Sequence, residues 1–168
     1  MENKKDIMQE VRSVLNIIVP CYNEEGNIET LYKRIVETFN DIVKYQIIFL
    51  NDGSTDDTYK EMEKVYKKDK KHIKIINLSR NFGKDAAIYA GIENCSGKYI
   101  AIIDGDMQQN PKYLLEMFIF LENNKQYDQV VMINNDRRKE NVLKKILKKL
   151  FYKIFNVLSN SKLANGVS

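Results

Sequence analysis

The sequence predicts an α/β fold in which a mainly parallel sheet is flanked by helices. Short, nearly uncharged runs alternate along the chain with longer segments whose apolar residues recur every three or four positions. This alternation is typical of strands joined by right-handed helical crossovers. Clusters of polar residues directly follow the first, second and fourth predicted strands. Because parallel strands end at the same edge of a sheet, these clusters predict a ligand site there.

The first half of the chain predicts two strand–helix units. Residues 14–20 are almost wholly apolar and predict a strand covered on both faces. The next helix has helical apolar spacing over 28–39, with Asn23 as its expected N-cap. Residues 45–50 predict the second strand, followed by a helix that includes 62–66. The N-cap of that second helix is expected among Ser54, Thr55 and Asp56.

The second half continues the same alternation. Residues 73–78 predict a third strand, and a helix of small residues follows over 86–92. Residues 99–103 carry no charge and predict a fourth, buried strand. A helix is expected from 111 to about 123, and a fifth strand over 129–133.

The predicted fourth strand ends in Asp104, Gly105 and Asp106. A turn before a helix with Pro111 at its first position would account for these residues, and this segment alone leaves that explanation open. Alternatively, Gly105 lets the backbone approach a ligand while the carboxylates hold a divalent cation. Mg²⁺ or Mn²⁺ would suit, because both prefer oxygen ligands and Gln108 adds a carbonyl oxygen. Carboxylates repel phosphates, so a nucleotide diphosphate would require the metal.

Composition indicates a globular protein and narrows its class. The 168 residues are 43% hydrophobic and 30% charged. The first twelve residues are polar and no apolar run reaches the length of a membrane span, so a cytoplasmic location is expected. Cys21 and Cys95 lie far apart in unlike contexts, which argues against a disulfide framework or a zinc site. His72 follows a lysine-rich run and is expected to be a solvated residue without a catalytic role.

The positive charge is concentrated near the end of the chain. The net charge is +4, but residues 137–153 alone contain eight Lys or Arg against Glu140, so the remainder is acidic. A nucleic-acid-binding domain would more often spread its basic residues over a whole face, so nucleic acid is not an expected partner. Residues 142–158 place apolar side chains at helical spacing opposite the lysines. This pattern fits an ordinary surface helix or a helix lying on an anionic membrane surface.

Four blocks of residues together resemble a known family. They are residues 18–25 (IVPCYNEE), 51–56 (NDGSTD), 80–84 (RNFGK) and 104–108 (DGDMQ). In this order and spacing they resemble the family 2 glycosyltransferases, and within them the polyprenyl-phosphate hexose transferases, a branch that includes dolichyl-phosphate mannose synthases and bactoprenol glucosyltransferases. The resemblance implies a Rossmann-like GT-A fold and inverting transfer of a hexose from a nucleotide diphosphate sugar to a polyprenyl phosphate.

The resemblance also implies roles for individual residues. The implied nucleotide-sugar site comprises Pro20, Tyr22, Glu24, Asp52, Asp104, Gly105, Asp106 and Arg138. The first three would line the nucleoside pocket, and Asp52 would contact the base. Asp104 would face the ribose and the donor sugar, with Asp106 and Gln108 holding the Mg²⁺ or Mn²⁺ that bridges the diphosphate. Arg138 matches a basic position expected to meet phosphate.

Departures from the family pattern shape the expected activity. The family typically continues beyond the position of Ser168 to a block whose Asp is a candidate general base, so we expect a C-terminally incomplete chain. Asp104 and Asp106 would then support catalysis without that base, giving metal-dependent donor binding but poor sugar transfer. Asn135 stands where the lipid-phosphate branch usually has Arg, which leaves a polysaccharide or other acceptor open. A non-catalytic nucleotide-sugar-binding or membrane-docking module is the further alternative.

These inferences predict two regions. Residues 1–136 would form the nucleotide-sugar-binding core, and residues 137–168 a basic amphipathic helical segment that faces the membrane or the acceptor. The protein would then lie peripherally at the inner face of the membrane, contacting it through 137–158. An unfinished sheet could also pair with a second copy, so an oligomer is compatible with the sequence.

Overall fold

A computed structural model describes residues 15–132. Within this range four strands form one parallel sheet in the order β3-β2-β1-β4, and the helices connect them. The elements are β1 (Leu15–Cys21), α1 (Ile28–Phe39), β2 (Tyr45–Asn51), α2 (Thr58–Lys68), β3 (Ile73–Asn77), α3 (Lys84–Glu93), β4 (Tyr99–Ile102) and α4 (Pro111–Asn123). The predicted parallel α/β architecture is therefore confirmed for this part of the chain.

Helices cover the two faces of the sheet unequally. One face packs against α1, α2 and α4, and its core includes Ile17, Phe49 and Leu31. The other face of β1 and β2 packs against α3, where Ala87 lies on Ile18. Small residues on α3 permit this close approach and explain the composition of that helix. The two central strands are consequently buried on both sides, as predicted for the first strand.

The prediction that the fourth strand is buried is wrong for one of its faces. Ile100 and Ile102 are 44% and 41% exposed, whereas Tyr99 and Ala101 pack against the main core. The reason is topological: β4 lies at the edge of the described sheet, and α3 packs over β1 and β2. An uncharged run therefore does not guarantee cover on both sides.

The predicted fifth strand is also wrong over residues 129–132, which are irregular; Ile133 lies outside the described residues. Val131 is 66% exposed, and residues 129–132 pair with none of the four described strands. The domain boundary expected at 136/137 and the basic segment 137–158 likewise lie outside the described residues.

Two helix caps differ from their prediction and one agrees. Asn27, not Asn23, occupies the N-cap position of α1. At α2 the N-cap position belongs to Asp57, but the side chain of Asp56, one of the three candidates, accepts a hydrogen bond from the Thr58 amide. Asn110 caps α4 by accepting a hydrogen bond from the Lys112 amide, with proline at the first helical position, as expected.

A buried asparagine anchors the entry to β4. Asn16 is fully buried in the otherwise apolar β1, where its side-chain oxygen accepts hydrogen bonds from the Ser96 and Gly97 amides. Its amide group also donates to Gln46 on the neighbouring strand. These bonds fix where β4 begins beside β1, and hence where β4 delivers the residues that follow it.

The two cysteines are not bonded to each other, and the single histidine packs against neighbouring side chains. Cys21 and Cys95 are both free thiols, which agrees with the predicted absence of a disulfide. His72 is half-buried, contrary to the expected solvated position, because its ring stacks on Tyr45 and its Nδ1 lies 2.9 Å from Asp69 Oδ1. No helix within residues 15–132 combines the length and apolar character needed to cross a membrane.

An ionic cluster joins β4 to α4 around Glu122. Its carboxylate accepts hydrogen bonds from the Lys125 ammonium, the Tyr99 hydroxyl and the Lys98 ammonium, which together lower the pKa of Glu122 to about 2. Because the pKa in the folded state lies below the ordinary value of 4.5, Glu122 stabilises the fold above pH 4.5. That stabilisation is lost as the pH falls from 4.5 toward 2.

We expect Glu122→Gln to lower the melting temperature at pH 7 by roughly 1–4 °C, because an exposed ionic cluster is screened by solvent. The difference from wild type should shrink as the pH is lowered from 4.5 toward 2. Thermal unfolding across pH 2.5–7 checks this, with Glu116→Gln on the exposed surface of the same helix as control. A difference that stays constant with pH would contradict the assignment.

Candidate active site

A pocket of about 320 Å³ opens at the carboxyl edge of the sheet. The chain runs outward from β1 through β2 to β3 and then returns to the other side of β1 as β4. The strand order therefore reverses between β1 and β4, and open α/β sheets bind ligands at the carboxyl edge beside such a reversal. The pocket is lined by Pro20, Cys21, Tyr22, Glu24, Asp52, Asn81, Gly83, Lys84, Ala87, Asp104, Gly105 and Asp106.

Asn23 connects the loop after β1 to the loop after β2. Its side-chain oxygen accepts a hydrogen bond from the Thr55 backbone amide at 2.9 Å, and its backbone amide donates to Ser54 Oγ at 3.0 Å. Asn23 has a φ of 55°, a left-handed conformation that asparagine tolerates better than most residues. The residue expected to cap α1 instead joins two walls of the pocket.

The same two loops are joined again further along. The amide of Glu24 donates to Thr58 Oγ1 at 2.8 Å, and that of Glu25 donates to Asp56 Oδ2 at 3.1 Å. Gly26 donates to the carboxylate of Glu61. Polar side chains at the start of α2 thus hold the backbone that carries Glu24 into the pocket.

We expect Asn23→Ala to cost about 1–2 kcal/mol, because it removes an acceptor and places alanine in a left-handed conformation. Asn23→Gly separates the two effects, since glycine accepts this φ but still lacks the acceptor. Chemical denaturation should therefore rank stability as wild type, then Asn23→Gly, then Asn23→Ala. Equal stability of all three proteins would contradict the role of Asn23 as a loop connector.

Asp52 organises the loop after β3. It is only 3% exposed, and its two carboxylate oxygens accept hydrogen bonds from the Phe82 and Gly83 amides at 2.8 and 2.9 Å. These bonds place Lys84, the first residue of α3, at the mouth of the pocket. Asp52 thus lines the pocket and also holds the loop after β3, a role that the sequence did not indicate.

Gly105 is buried and packs against the end of β1. A Cβ at this position would lie 3.0 Å from Cys21 Sγ and 3.3 Å from Glu24 Cγ. Burial raises the pKa of the Cys21 thiol, and the nearby carboxylates of Glu24 and Asp104 raise it further. Cys21 is therefore a protonated packing residue, not a nucleophile.

Asp104 and Asp106 have different partners although only one residue separates them. Lys84 Nζ lies 2.6 Å from Asp104 Oδ1, and Gln109 Nε2 donates to Asp104 Oδ2 at 3.4 Å. Asp106 Oδ1 accepts a hydrogen bond from the Gln108 backbone amide at 3.0 Å across a turn. The carboxylate of Asp106 thus keeps an oxygen for a further ligand.

The donor set suits a metal that shares its ligands with a substrate. Among residues 15–132, no three Asp, Glu, His or Cys side chains are arranged to enclose a cation. Asp104, Asp106 and the side-chain oxygen of Gln108 would offer an incomplete set of oxygens. Mg²⁺ is commonly bound in this way, through one or two carboxylates with phosphates and water completing the octahedron. The residues therefore fit a metal–diphosphate complex better than a permanently bound ion.

Most of the predicted site residues converge on the pocket. Those that line it are Pro20, Tyr22, Glu24, Asp52, Asp104, Gly105 and Asp106. Gln108 lies just beyond the lining on the exposed side of the turn, and Arg138 lies outside the described residues. Sequence reasoning assigned no role to the loop after β3, which contributes Asn81 and Lys84. Its position after a parallel strand was the signal that could have identified it.

Comparison with protein families and known relatives identifies similar sequences. The family model described as "Glycosyl transferase family 2" matches residues 16–167. An uncharacterized glycosyltransferase of Synechocystis sp. is 37% identical over 150 residues, covering 89% of this chain and 46% of the relative. A prophage bactoprenol glucosyl transferase homolog of Escherichia coli is 32% identical, covering 91% of this chain and 49% of the relative. The chain spans about half the length of the curated relatives it matches.

A solved structure supports the fold. The mannosyltransferase PcManGT from Pyrobaculum calidifontis, in complex with GDP-Man and Mn²⁺, aligns with a TM-score of 0.58 and 22% identity. The alignment covers 67% of this chain and 33% of that protein. The GT-A fold expected from the four motif blocks is therefore confirmed.

Proposed function

Because the chain belongs to glycosyl transferase family 2, as its motifs predicted, we propose that its pocket binds a nucleotide diphosphate sugar together with Mg²⁺ or Mn²⁺. The observation that carries this proposal is the pocket at the carboxyl edge beside β1 and β4, where Asp52, Asp104 and Asp106 converge. Similarity to a protein solved with GDP-Man and Mn²⁺ supports the same ligand class. The pocket volume would admit part of such a donor, with the remainder extending outward.

Different pocket residues would bind different parts of the donor. Tyr22, Pro20 and Glu24 lie on one wall, where an aromatic ring and a carboxylate suit a nucleoside. Asp104 and Asp106 lie on the β4 side, where they would orient the ribose and hold the cation. When bound, the cation would neutralise the charge that develops on the departing nucleoside diphosphate.

The reaction we propose is inverting transfer of a hexose to a polyprenyl phosphate. The relative named as a bactoprenol glucosyl transferase homolog supports this acceptor class. Asp104 and Asp106 would support catalysis by positioning the donor, and Arg138 would meet a phosphate. A polysaccharide or other acceptor is the alternative outcome, to be distinguished by offering both acceptor classes with the same donor.

A panel of UDP-, GDP- and dTDP-sugars with and without Mn²⁺ tests donor binding. Ligand binding stabilises a fold by about 2.7 kcal/mol at a hundredfold excess over Kd, so a true donor should raise the melting temperature by several degrees. We expect this rise for one base class and only when Mn²⁺ is present. If no nucleotide sugar raises the melting temperature in the presence of Mn²⁺, the proposed function is wrong.

The basic segment 137–158 carries a separate proposal, that it brings the donor core to an anionic membrane surface. Flotation with vesicles containing phosphatidylglycerol should recover wild type, and recovery should fall severalfold when Lys144, Lys145, Lys148 and Lys149 are replaced by Gln. Vesicles of phosphatidylcholine alone serve as control. Equal recovery of both proteins on anionic vesicles would contradict membrane contact through this segment.

A further inference from the structure

Lys84 is the basic residue in the described lining of a pocket that holds four carboxylates. The acidic residues are Glu24, Asp52, Asp104 and Asp106. A nucleotide diphosphate brings more negative charge into this setting. A cation at Asp106 offsets part of that charge, and Lys84 supplies another positive charge within the same pocket.

The main chain of Lys84 is held firmly while its side chain is not. The preceding residue, Gly83, donates its amide to the buried Asp52 carboxylate, which fixes the start of α3. The side chain of Lys84 is 57% exposed and reaches Asp104 with its ammonium group. Because the backbone of Lys84 is fixed and its four-carbon side chain is flexible, the ammonium can move between partners inside the pocket.

The Lys84–Asp104 ion pair occupies an oxygen that the donor complex needs. Lys84 Nζ lies 2.6 Å from Asp104 Oδ1, and Gln109 engages the other oxygen. A metal that binds Asp104 Oδ1 therefore competes with the ammonium, whereas a ribose hydroxyl would share the oxygen with it. An ion pair this exposed stabilises the fold little, so its exchange costs little.

We propose that Lys84 is an exchangeable counter-ion, which pairs with Asp104 before the donor binds and then moves to a phosphate oxygen of the bound nucleotide diphosphate. This inference rests on the proposed function. It assigns to the loop after β3 a direct part in binding the diphosphate. It also makes Lys84 a competitor of the metal at Asp104 before the nucleotide arrives.

The two roles of Lys84 predict opposite effects of one substitution. Lys84→Met should weaken binding of the nucleoside diphosphate in the presence of Mn²⁺ by roughly 10–100-fold, because a charge-assisted hydrogen bond is lost. The same variant should bind Mn²⁺ alone a few-fold more tightly, because no ammonium competes at Asp104. A purely structural role would weaken both interactions and lower the melting temperature.

Isothermal titration of the full chain with MnCl₂, and then with UDP, GDP and dTDP in saturating Mn²⁺, provides both readouts. Lys84→Arg should retain most of the diphosphate affinity. Lys112→Met, which removes a charge at the start of α4 on the same edge of the sheet, should stay within a few-fold of wild type. Tighter Mn²⁺ binding with weaker diphosphate binding in Lys84→Met supports the proposal.

Unchanged or tighter diphosphate binding by Lys84→Met overturns the inference while leaving the proposed function intact. Equal losses in Lys84→Met and Lys112→Met also overturn it, because they would reflect net charge alone. If wild type binds none of the three diphosphates in Mn²⁺, the proposed function and this inference fail together.

Discussion

Asp106→Asn is expected to weaken Mn²⁺-dependent binding of the nucleotide sugar by about 100-fold or more. The substitution removes the negative charge but keeps an oxygen that can accept the hydrogen bond from the Gln108 amide, so the turn after β4 should persist. Loss of a residue that merely supports a metal ligand costs 10–100-fold, and loss of a ligand itself should reach at least the upper end. Isothermal titration at saturating Mn²⁺ measures the change.

The control for this variant is Asp41→Asn. Asp41 is an exposed aspartate with a φ of 60° in the connection before β2, at the opposite edge of the sheet. Asp41→Asn makes the same chemical change far from the pocket and should leave binding of the nucleotide sugar unchanged. If Asp106→Asn binds the donor as tightly as Asp41→Asn does, Asp106 is not a metal ligand.

Gly53→Ala is expected to destabilise the fold by roughly 2–4 kcal/mol and to weaken donor binding. Gly53 follows β2 with a φ of 65°, and a Cβ there would overlap the backbone of the loop after β3, at 2.6 Å from Arg80 Cα. Two costs combine, the left-handed conformation of a non-glycine residue and the displacement of a packed backbone. The displaced loop carries Lys84, so the pocket should change as well.

Gly26→Ala separates these two costs. Gly26 has a φ of 87°, but a Cβ at this position would meet no atom within 4 Å. Its alanine variant should therefore show the conformational cost alone, about 1–2 kcal/mol, with little change in donor binding. Urea denaturation of both variants provides the comparison, and equal destabilisation would show that contact between the two loops is unimportant.

Local sequence patterns predicted the elements and the edge at which the site lies. Helical spacing of apolar residues identified α1, and the Asn110–Pro111 pair marked the start of α4. Strand–helix alternation predicted parallel pairing, and parallel pairing brings the ends of β1, β2 and β4 together. These inferences succeeded because each depends on residues close in the chain or on a general rule of topology.

The errors came from contacts between distant segments. Asn23 is a plausible cap from its neighbours alone, but its partner Thr55 lies 32 residues away and determines its conformation. Ile100 and Ile102 suggest a buried strand, yet their exposure depends on where α3 packs. Its position after a strand could have placed Lys84 at the carboxyl edge, but the structure was needed to show its ion pair with Asp104. These contacts join residues that are distant in the chain, so a single sequence does not reveal them.

Paramagnetic broadening of amide NMR signals by Mn²⁺, in the presence of the bound nucleoside diphosphate, tests most directly whether the carboxyl edge of the sheet holds the metal. We predict strong broadening for residues 104–108 and for the neighbouring loop 81–84, with the opposite edge around residues 41–44 unaffected. Broadening centred on any other part of the chain would contradict a metal site at this edge. Broadening no stronger than that caused by unbound Mn²⁺ in solution would contradict it as well.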